Sequence, residues 1–258
     1  MTKRKPIVGM SLKMYHNLLK KAADFAEIID QLVGEEEEIE QFLFPGMGTL
    51  YPVSLKLKSS VIGFGSQNIA PAANGAYTGE FSIESLIDMS GSYVEIGHSE
   101  RRSLFHETDE MIADKVQLTI ESGLIPVLCI GEPKESTNFE WIKSFLENQL
   151  SMDLKKIAKE KLKTVIIAYE PVWAIGAANA ASAEHVAKVH TLIRESLFNL
   201  FGTEAAEKIR IIYGGSVSKD NVSAIVSNEN VDGVFVGRFG HDPKNYQAIV
   251  ESVKTIKK

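Results

Sequence analysis

The sequence has little of what marks several common classes of protein. Cys129 is its single cysteine, so no disulfide can form within the chain, and this suits a reducing compartment. No apolar run approaches the length that crosses a membrane. The basic residues at the N-terminus are followed by no apolar segment of the kind found in a secretory signal. We therefore expect a cytoplasmic protein.

Two further absences narrow the choice of ligand. The net charge is -6 and no basic tract is present, so the electrostatic footprint of a nucleic-acid-binding protein is missing. The 6 histidines do not pair at the spacing of metal ligands. We expect no metal and no other cofactor, and neither nucleic acid nor a membrane as a partner.

What the chain does contain is a regular alternation of strand-like and helical patterns, without a linker or low-complexity segment. Eight short apolar runs are each followed by a helical pattern, which favours a closed barrel over an open sheet. The predicted strands are 7–10, 41–44, 62–66, 93–96, 125–129, 164–168, 209–213 and 233–236. We predict an α/β fold, a single (β/α)8 barrel domain spanning residues 1–258.

Charged side chains follow three of the predicted strands, and in such a barrel the carboxyl ends of the strands form the catalytic face. Glu170 follows the sixth strand, where large apolar neighbours make it a candidate general base with a raised pKa. An acid that only caps the next helix would give the same pattern. His98 follows the fourth strand and Lys13 the first. Taken alone, each could also be a structural or surface residue.

Glycines follow the last two predicted strands. The seventh runs into Gly214, Gly215 and Ser216, and the eighth into Gly237. Barrels often bind phosphate with the loops after these strands, through backbone N–H groups that glycine allows a ligand to approach. Tight turns alone would also use such glycines. The pairing of two glycine-ended strands favours a phosphate site.

Three motifs resemble those of the triosephosphate isomerase family, in its order and at about its spacing. They are segments 95–102 (EIGHSERR), 169–176 (YEPVWAIG) and 212–217 (IYGGSV). The resemblance covers essentially the whole chain and implies a sugar-phosphate isomerase that moves a proton between adjacent carbons through an enediolate. It implies that Glu170 is the base, and that His98 is a neutral electrophile held by a helix N-terminus, as in that family's known pattern.

The resemblance also implies roles for other residues. Lys13 stabilises the enediolate, and Glu100 is the family's second glutamate, which lies near the lysine. Gly176, Ser216 and Gly237 bind the phosphate, and residues 171–182 form a lid. The loop 66–80 resembles the segment that enters a neighbouring subunit, with Thr78 at its tip, and therefore implies a homodimer.

Several positions depart from the family's usual pattern. Ser11 and Leu12 stand where the family usually has asparagine and tryptophan, and Arg238 stands in place of a second glycine. Residues 177–181 (AANAA) replace the usual second half of the lid. Ser11 and Arg238 are therefore candidate substrate-binding residues at the two ends of the pocket. An inward guanidinium at Arg238 would add a positive charge beside the phosphate, whereas an outward one would be a surface residue.

These departures favour a substrate longer than a triose phosphate, such as a four-carbon erythrulose phosphate. One alternative is triosephosphate isomerase proper, which interconverts dihydroxyacetone phosphate and glyceraldehyde 3-phosphate. A more remote one is a barrel that binds phosphorylated ligands without turning them over. Another phosphate-binding barrel, of the indole-glycerol-phosphate synthase type, would need a different set of charged residues at its strand ends.

Overall fold

Eight parallel strands close into a barrel in chain order, with the last strand paired to the first. The computed structural model describes residues 4–176 and 180–258. The strands are β1 (Ile7–Ser11), β2 (Glu40–Phe44), β3 (Gly63–Ser66), β4 (Tyr93–Ile96), β5 (Ile125–Ile130), β6 (Ile166–Tyr169), β7 (Arg210–Tyr213) and β8 (Gly233–Val236). The predicted (β/α)8 barrel is confirmed.

Strand boundaries differ from the predicted ones by two residues or fewer at each end. The largest shift is at β6, which begins at Ile166 because a 3-10 helix, Lys159–Thr164, occupies the start of the predicted strand. Thr164 and Val165 have the β-branched side chains typical of strands, but the preceding turn determines their conformation.

Helices surround the barrel. They are α1 (Leu19–Val33), α2 (Leu50–Leu57), α3 (Ile83–Asp88), α4 (Ser99–Leu104), α5 (Asp109–Glu121), α6 (Phe139–Asp153), α7 (Ala183–Phe201), α8 (Thr203–Lys208), α9 (Val222–Val226) and α10 (Pro243–Lys257). Polar side chains cap several of them: Thr108 accepts from an N–H of α5, and Ser182 from an N–H of α7. No helix in the described part of the chain is long and apolar enough to cross a membrane.

Successive strand residues point alternately into the barrel and out toward the helices. The barrel interior is filled by one cluster of buried side chains: Ile7, Phe42, Phe44, Tyr93, Val127, Cys129, Ile166, Ala168, Ile212 and Phe235. The neighbouring strand positions, such as Val8 and Val94, belong to a second cluster between sheet and helices. The single cysteine, Cys129, therefore packs inside the barrel, and burial is common for this residue type.

The inward-facing series changes from apolar to polar toward the carboxyl ends of the strands. Two residues beyond Tyr93 lies Glu95, two beyond Ala168 lies Glu170, and four beyond Ile7 lies Ser11. All three are buried, with Ser11 4%, Glu95 3% and Glu170 5% exposed. The alternation that packs the barrel therefore also directs polar groups into its catalytic end.

Candidate active site

A single pocket at the carboxyl ends of the strands brings together all of the site residues predicted from the sequence. Its cavity volume is about 180 Å³, which suits a ligand of a few carbon atoms rather than a nucleotide-sized cofactor. One part is lined by Ser11, Lys13, His98, Glu100 and Glu170, and the other by Gly176, Gly214, Gly215, Ser216, Gly237 and Arg238. Titratable side chains and the glycine-rich loops that follow β7 and β8 therefore line the same pocket.

Glu170 is held in place by its own backbone and by two glycines. Its N–H donates to the Ile130 carbonyl at 2.7 Å, which extends the β5–β6 pairing past the end of the strand. A Cβ on Gly131 would lie 1.9 Å from the Glu170 carbonyl oxygen, and a Cβ on Gly214 would lie 2.5 Å from Glu170 Cγ. Glycine at both positions leaves the space that this carboxylate occupies.

The surroundings of Glu170 favour its protonated form in the free protein. Burial, followed by the charge of Glu95, raises the pKa of Glu170 to about 8, although the positive charge of Lys13 opposes the increase. Its Oε2 lies 3.5 Å from His98 Nε2 and accepts no hydrogen bond. A carboxylate with this pKa is a much stronger base, once ionised, than an exposed glutamate.

His98 precedes α4, and the helix determines its tautomer. The Glu100 N–H, in the first turn of α4, donates to His98 Nδ1 at 3.1 Å. Nδ1 is therefore an acceptor, and the neutral ring carries its proton on Nε2, the nitrogen that faces Glu170. Burial, assisted by the charge of Lys13, lowers the pKa of His98 to about 4. At neutral pH this ring is an uncharged N–H donor.

Lys13 is fixed by a carboxylate and by its backbone. Its Nζ lies 2.6 Å from Glu100 Oε1, and its carbonyl accepts a hydrogen bond from Gln67 Nε2 at 3.0 Å. Its φ of 45° is in the left-handed region that non-glycine residues seldom adopt. Burial lowers the pKa of Lys13, but the bond and charge of Glu100, with Glu170 and Glu95, raise it overall. Lys13 is therefore a fixed cation beside Glu170 and His98.

Sequence reasoning gave no role to Glu95, which lies behind Ser11. The Ser11 Oγ donates to Glu95 Oε2 at 3.0 Å, and both side chains are buried. Burial raises the pKa of Glu95 to about 7, while the Ser11 hydrogen bond and the Lys13 charge oppose the increase. The available signal was a carboxylate in the middle of the apolar run 93–96 (YVEI), since a buried acid there needs a partner.

The start of the predicted lid is anchored to Glu132, a residue to which the sequence analysis gave no role. Trp173 Nε1 and Tyr169 Oη both donate to Glu132 Oε1, at 2.8 Å and 3.0 Å. The Val172 N–H donates to the Glu132 carbonyl at 3.0 Å. Because Glu132 is fully buried, these bonds hold the start of the predicted lid to the segment that follows β5. Residues 177–179, in the altered half of the lid, lie outside the described residues.

At the other end of the pocket, Gly176 is exposed, Gly214 and Gly237 are half-buried, and Gly215 is buried. Gly176 has a φ of 67°, a conformation that glycine adopts without strain. Ser216 Oγ donates to the Ala174 carbonyl at 3.0 Å, which connects the loop after β7 to the lid hinge. Arg238 is exposed at the pocket rim, with its guanidinium carbon 5.0 Å from the centre of the Phe239 ring. The Arg238 side chain therefore lies at the edge of the pocket, between the inward and outward positions considered above.

Two expectations concern groups beyond this pocket. Thr78 is exposed in the loop between β3 and α3 and does not line the pocket of its own chain. Among the described residues, no group of three or more His, Cys, Asp or Glu side chains could hold a metal ion.

Comparison with known proteins agrees with this geometry along nearly the whole chain. The family model described as triosephosphate isomerase matches residues 6–253. The chain is 44% identical over 254 residues to the probable triosephosphate isomerase 2 of Listeria monocytogenes, covering 98% of this chain and 99% of the relative. It is 38% identical over 249 residues to the triosephosphate isomerase of Dictyoglomus thermophilum, covering 96% and 100%.

The burial of Glu95 predicts a pH-dependent effect on stability. A pKa raised from 4.5 to about 7 means that this group stabilises the fold fully below its unfolded pKa and loses that contribution as pH rises through about 7. Glu95→Gln should therefore match the parent protein near pH 4 and exceed its unfolding free energy by about 1–3 kcal/mol near pH 9. Urea denaturation at both pH values measures this difference. The exposed Glu37→Gln serves as control, and an equal effect of both substitutions would contradict the prediction.

Proposed function

We propose a mechanism and a substrate from one premise: the chain belongs to the triosephosphate isomerase family, whose members are aldose–ketose isomerases. The observation that carries the mechanism is the grouping of Glu170, His98 and Lys13. A buried carboxylate lies 3.5 Å from a histidine Nε2, and the charge of the neighbouring lysine affects the pKa of both. This set combines a base, a neutral hydrogen-bond donor and a cation.

In the proposed reaction, ionised Glu170 removes a proton from the carbon beside the substrate carbonyl. The C–H electron pair becomes the enediolate double bond, and the carbonyl oxygen takes the negative charge. His98 donates its Nε2 hydrogen to the developing oxyanion, and Lys13 stabilises it electrostatically. His98 then gives its Nε2 hydrogen to the former carbonyl oxygen and takes the hydroxyl proton from the adjacent oxygen, which becomes the new carbonyl as Glu170 returns its proton to the neighbouring carbon. No atom is lost, and the base is regenerated.

Phosphate binding is assigned to the glycine-rich end of the same pocket. We propose that Gly176, Ser216 and Gly237 bind the phosphate mainly through their backbone N–H groups, while Glu100 holds Lys13 in position. Closure of the lid over 171–182 would exclude water and protect the enediolate from loss of phosphate. The anchoring of Trp173 on Glu132 supports a hinge at the start of this segment.

We propose a four-carbon ketose phosphate, such as an erythrulose phosphate, as the preferred substrate. Ser11 is a small residue at the deep end of the pocket, and Arg238 places a guanidinium at its rim. A triose phosphate fits the family and the names of the relatives equally well, so the rates on the two substrates decide between them. No cofactor has a part in this reaction, and we place the enzyme in the cytoplasm.

A homodimer is the proposed assembly. Thr78 lies at the exposed end of a long loop, and large apolar side chains are exposed near the catalytic end, with Met14 78%, Tyr15 69% and Tyr77 45% accessible. Exposed apolar side chains of this size are typical of protein interfaces. In such a dimer, Thr78 of one subunit would brace Lys13 of the other.

The base assignment predicts that Glu170→Asp reduces turnover and leaves binding intact. Removing one methylene withdraws the carboxylate by roughly 1 Å, and such a displacement reduces the rate on the order of a hundredfold. Steady-state kinetics should show the loss in kcat, while calorimetry with inorganic phosphate shows unchanged affinity. The exposed Glu184→Asp is the control. A fully active Glu170→Asp variant would remove this residue from its role, and a parent protein that binds phosphate but turns over no sugar phosphate would favour the non-catalytic barrel.

The substrate assignment predicts a change of preference in Arg238→Gly. This variant restores room and removes the guanidinium, so kcat/KM for a four-carbon ketose phosphate should decrease about tenfold while that for triose phosphate is retained or increased. Arg238→Lys keeps the charge but not the two-pronged donor, and should give an intermediate value. A parent protein that already prefers triose phosphate by a wide margin would contradict the assignment.

The assembly predicts that a shortened loop separates the subunits and lowers activity. Deleting residues 74–79 should leave a folded monomer in sedimentation and circular dichroism, with most of the isomerase activity lost. Thr78→Ala, which keeps the loop, should remain a dimer. Full activity in a proven monomer would contradict the role of the loop.

A further inference from the structure

The hydrogen bond between Ser11 and Glu95 restricts what a ligand can do at the deep end of the pocket. Ser11 follows the inward alternation of β1, and Glu95 that of β4, so the two side chains meet inside the barrel. Ser11 Oγ donates to Glu95 Oε2 at 3.0 Å. Ser11 lines the pocket, and Glu95, 3% exposed, lies behind it.

A serine hydroxyl has one hydrogen to donate and two lone pairs that accept. While Glu95 is ionised, this hydrogen is directed to its carboxylate, so Ser11 offers a ligand only its lone pairs. A carbonyl or phosphate oxygen, which must accept a hydrogen bond, would gain nothing there. A hydroxyl group, which can donate, fits the site. Glu95 thereby determines the chemistry that Ser11 can recognise.

The other polar groups at this end of the pocket, Lys13 and His98, are hydrogen-bond donors rather than acceptors. Lys13 carries only donor hydrogens, and the neutral His98 presents its Nε2 hydrogen because Nδ1 accepts from the Glu100 N–H. Both suit the two substrate oxygens that exchange between carbonyl and hydroxyl. Ser11 therefore adds an acceptor for a third oxygen, which a triose phosphate lacks outside its reacting pair and its phosphate.

We propose that Ser11, oriented by Glu95, is a specificity-determining residue that accepts a hydrogen bond from a substrate hydroxyl outside the two reacting oxygens. Glu95 is a positioning residue, since it acts through Ser11. The inference rests on the proposed function and deepens it, because it assigns the additional hydroxyl of a four-carbon ketose phosphate to named atoms. It also explains why an acid is buried where no step of the proton transfer needs it.

The test compares kcat/KM on a four-carbon ketose phosphate and on dihydroxyacetone phosphate for four variants. Ser11→Ala removes the acceptor, and Glu95→Leu removes the group that orients it. Ser11→Ala should lower kcat/KM for the four-carbon substrate about tenfold, mainly through KM, and change the triose value much less. Glu95→Leu should lower the ratio of the four-carbon to the triose kcat/KM by a similar factor, whereas loss of the Glu95 charge, which raises the pKa of Glu170, changes both values alike. Glu95→Gln retains an oxygen that accepts from Ser11 and should retain most of the preference. The double variant Ser11→Ala/Glu95→Leu should lower the preference for the four-carbon substrate no further than either single substitution does.

Melting temperatures of all variants show whether Glu95→Leu folds, and Ser11→Ala keeps the test valid if it does not. Three results would overturn this inference and leave the proposed function intact. They are equal losses of kcat/KM on both substrates, additive losses of substrate preference in the double variant, and an unchanged substrate preference in Ser11→Ala. A parent enzyme that turns over only triose phosphate would overturn the substrate assignment and this inference together. Absence of turnover on both substrates would contradict the proton-transfer mechanism itself.

Discussion

The burial of two carboxylates inside one end of the barrel is the constraint on which the rest of the site depends. Glu95 and Glu170 face the same interior. Burial raises the pKa of both carboxyl groups, and the charge of Glu95 raises that of Glu170 further. Lys13 is the cation that offsets both charges, and its own charge is stabilised by Glu100. The acid–base properties of the pocket therefore belong to the group of four residues rather than to any one of them.

Helix α4 determines which nitrogen of the neutral His98 ring carries the proton. A histidine buried beside a lysine is already disfavoured as a cation, and the backbone N–H at the start of the helix occupies Nδ1. The tautomer is thus set by main-chain geometry, which side-chain motion does not change. A neutral imidazole beside Glu170 offers the carboxylate no acidic proton, whereas an imidazolium there could protonate it.

The sequence was sufficient to predict the barrel because its alternation of strands and helices extends over the whole chain. It was sufficient to predict the candidate site residues because they follow the carboxyl ends of strands, which meet at one face of such a barrel. It was insufficient where the relevant contact joins distant segments. Ser11 and Glu95 are 84 positions apart, and only the closed barrel shows that both point inward. Glu132 was assigned no role, because its hydrogen bond from Trp173 spans 41 positions. The start of β6 was predicted too early because local β-propensity cannot register a preceding 3-10 turn.

The two glycines beside Glu170 have a consequence for how this protein tolerates change. Glu170 fits between two stretches of main chain that lack side chains, since a Cβ at Gly131 or Gly214 would collide with its backbone or its side chain. Its position is therefore largely independent of the side chains in the helical shell. Substitutions across the outer surface can alter solubility, stability or partner contacts and leave the position of Glu170 unchanged. The same confinement leaves little freedom at the centre, so a new chemistry would more readily arise at Ser11 or Arg238, where the pocket wall consists of side chains.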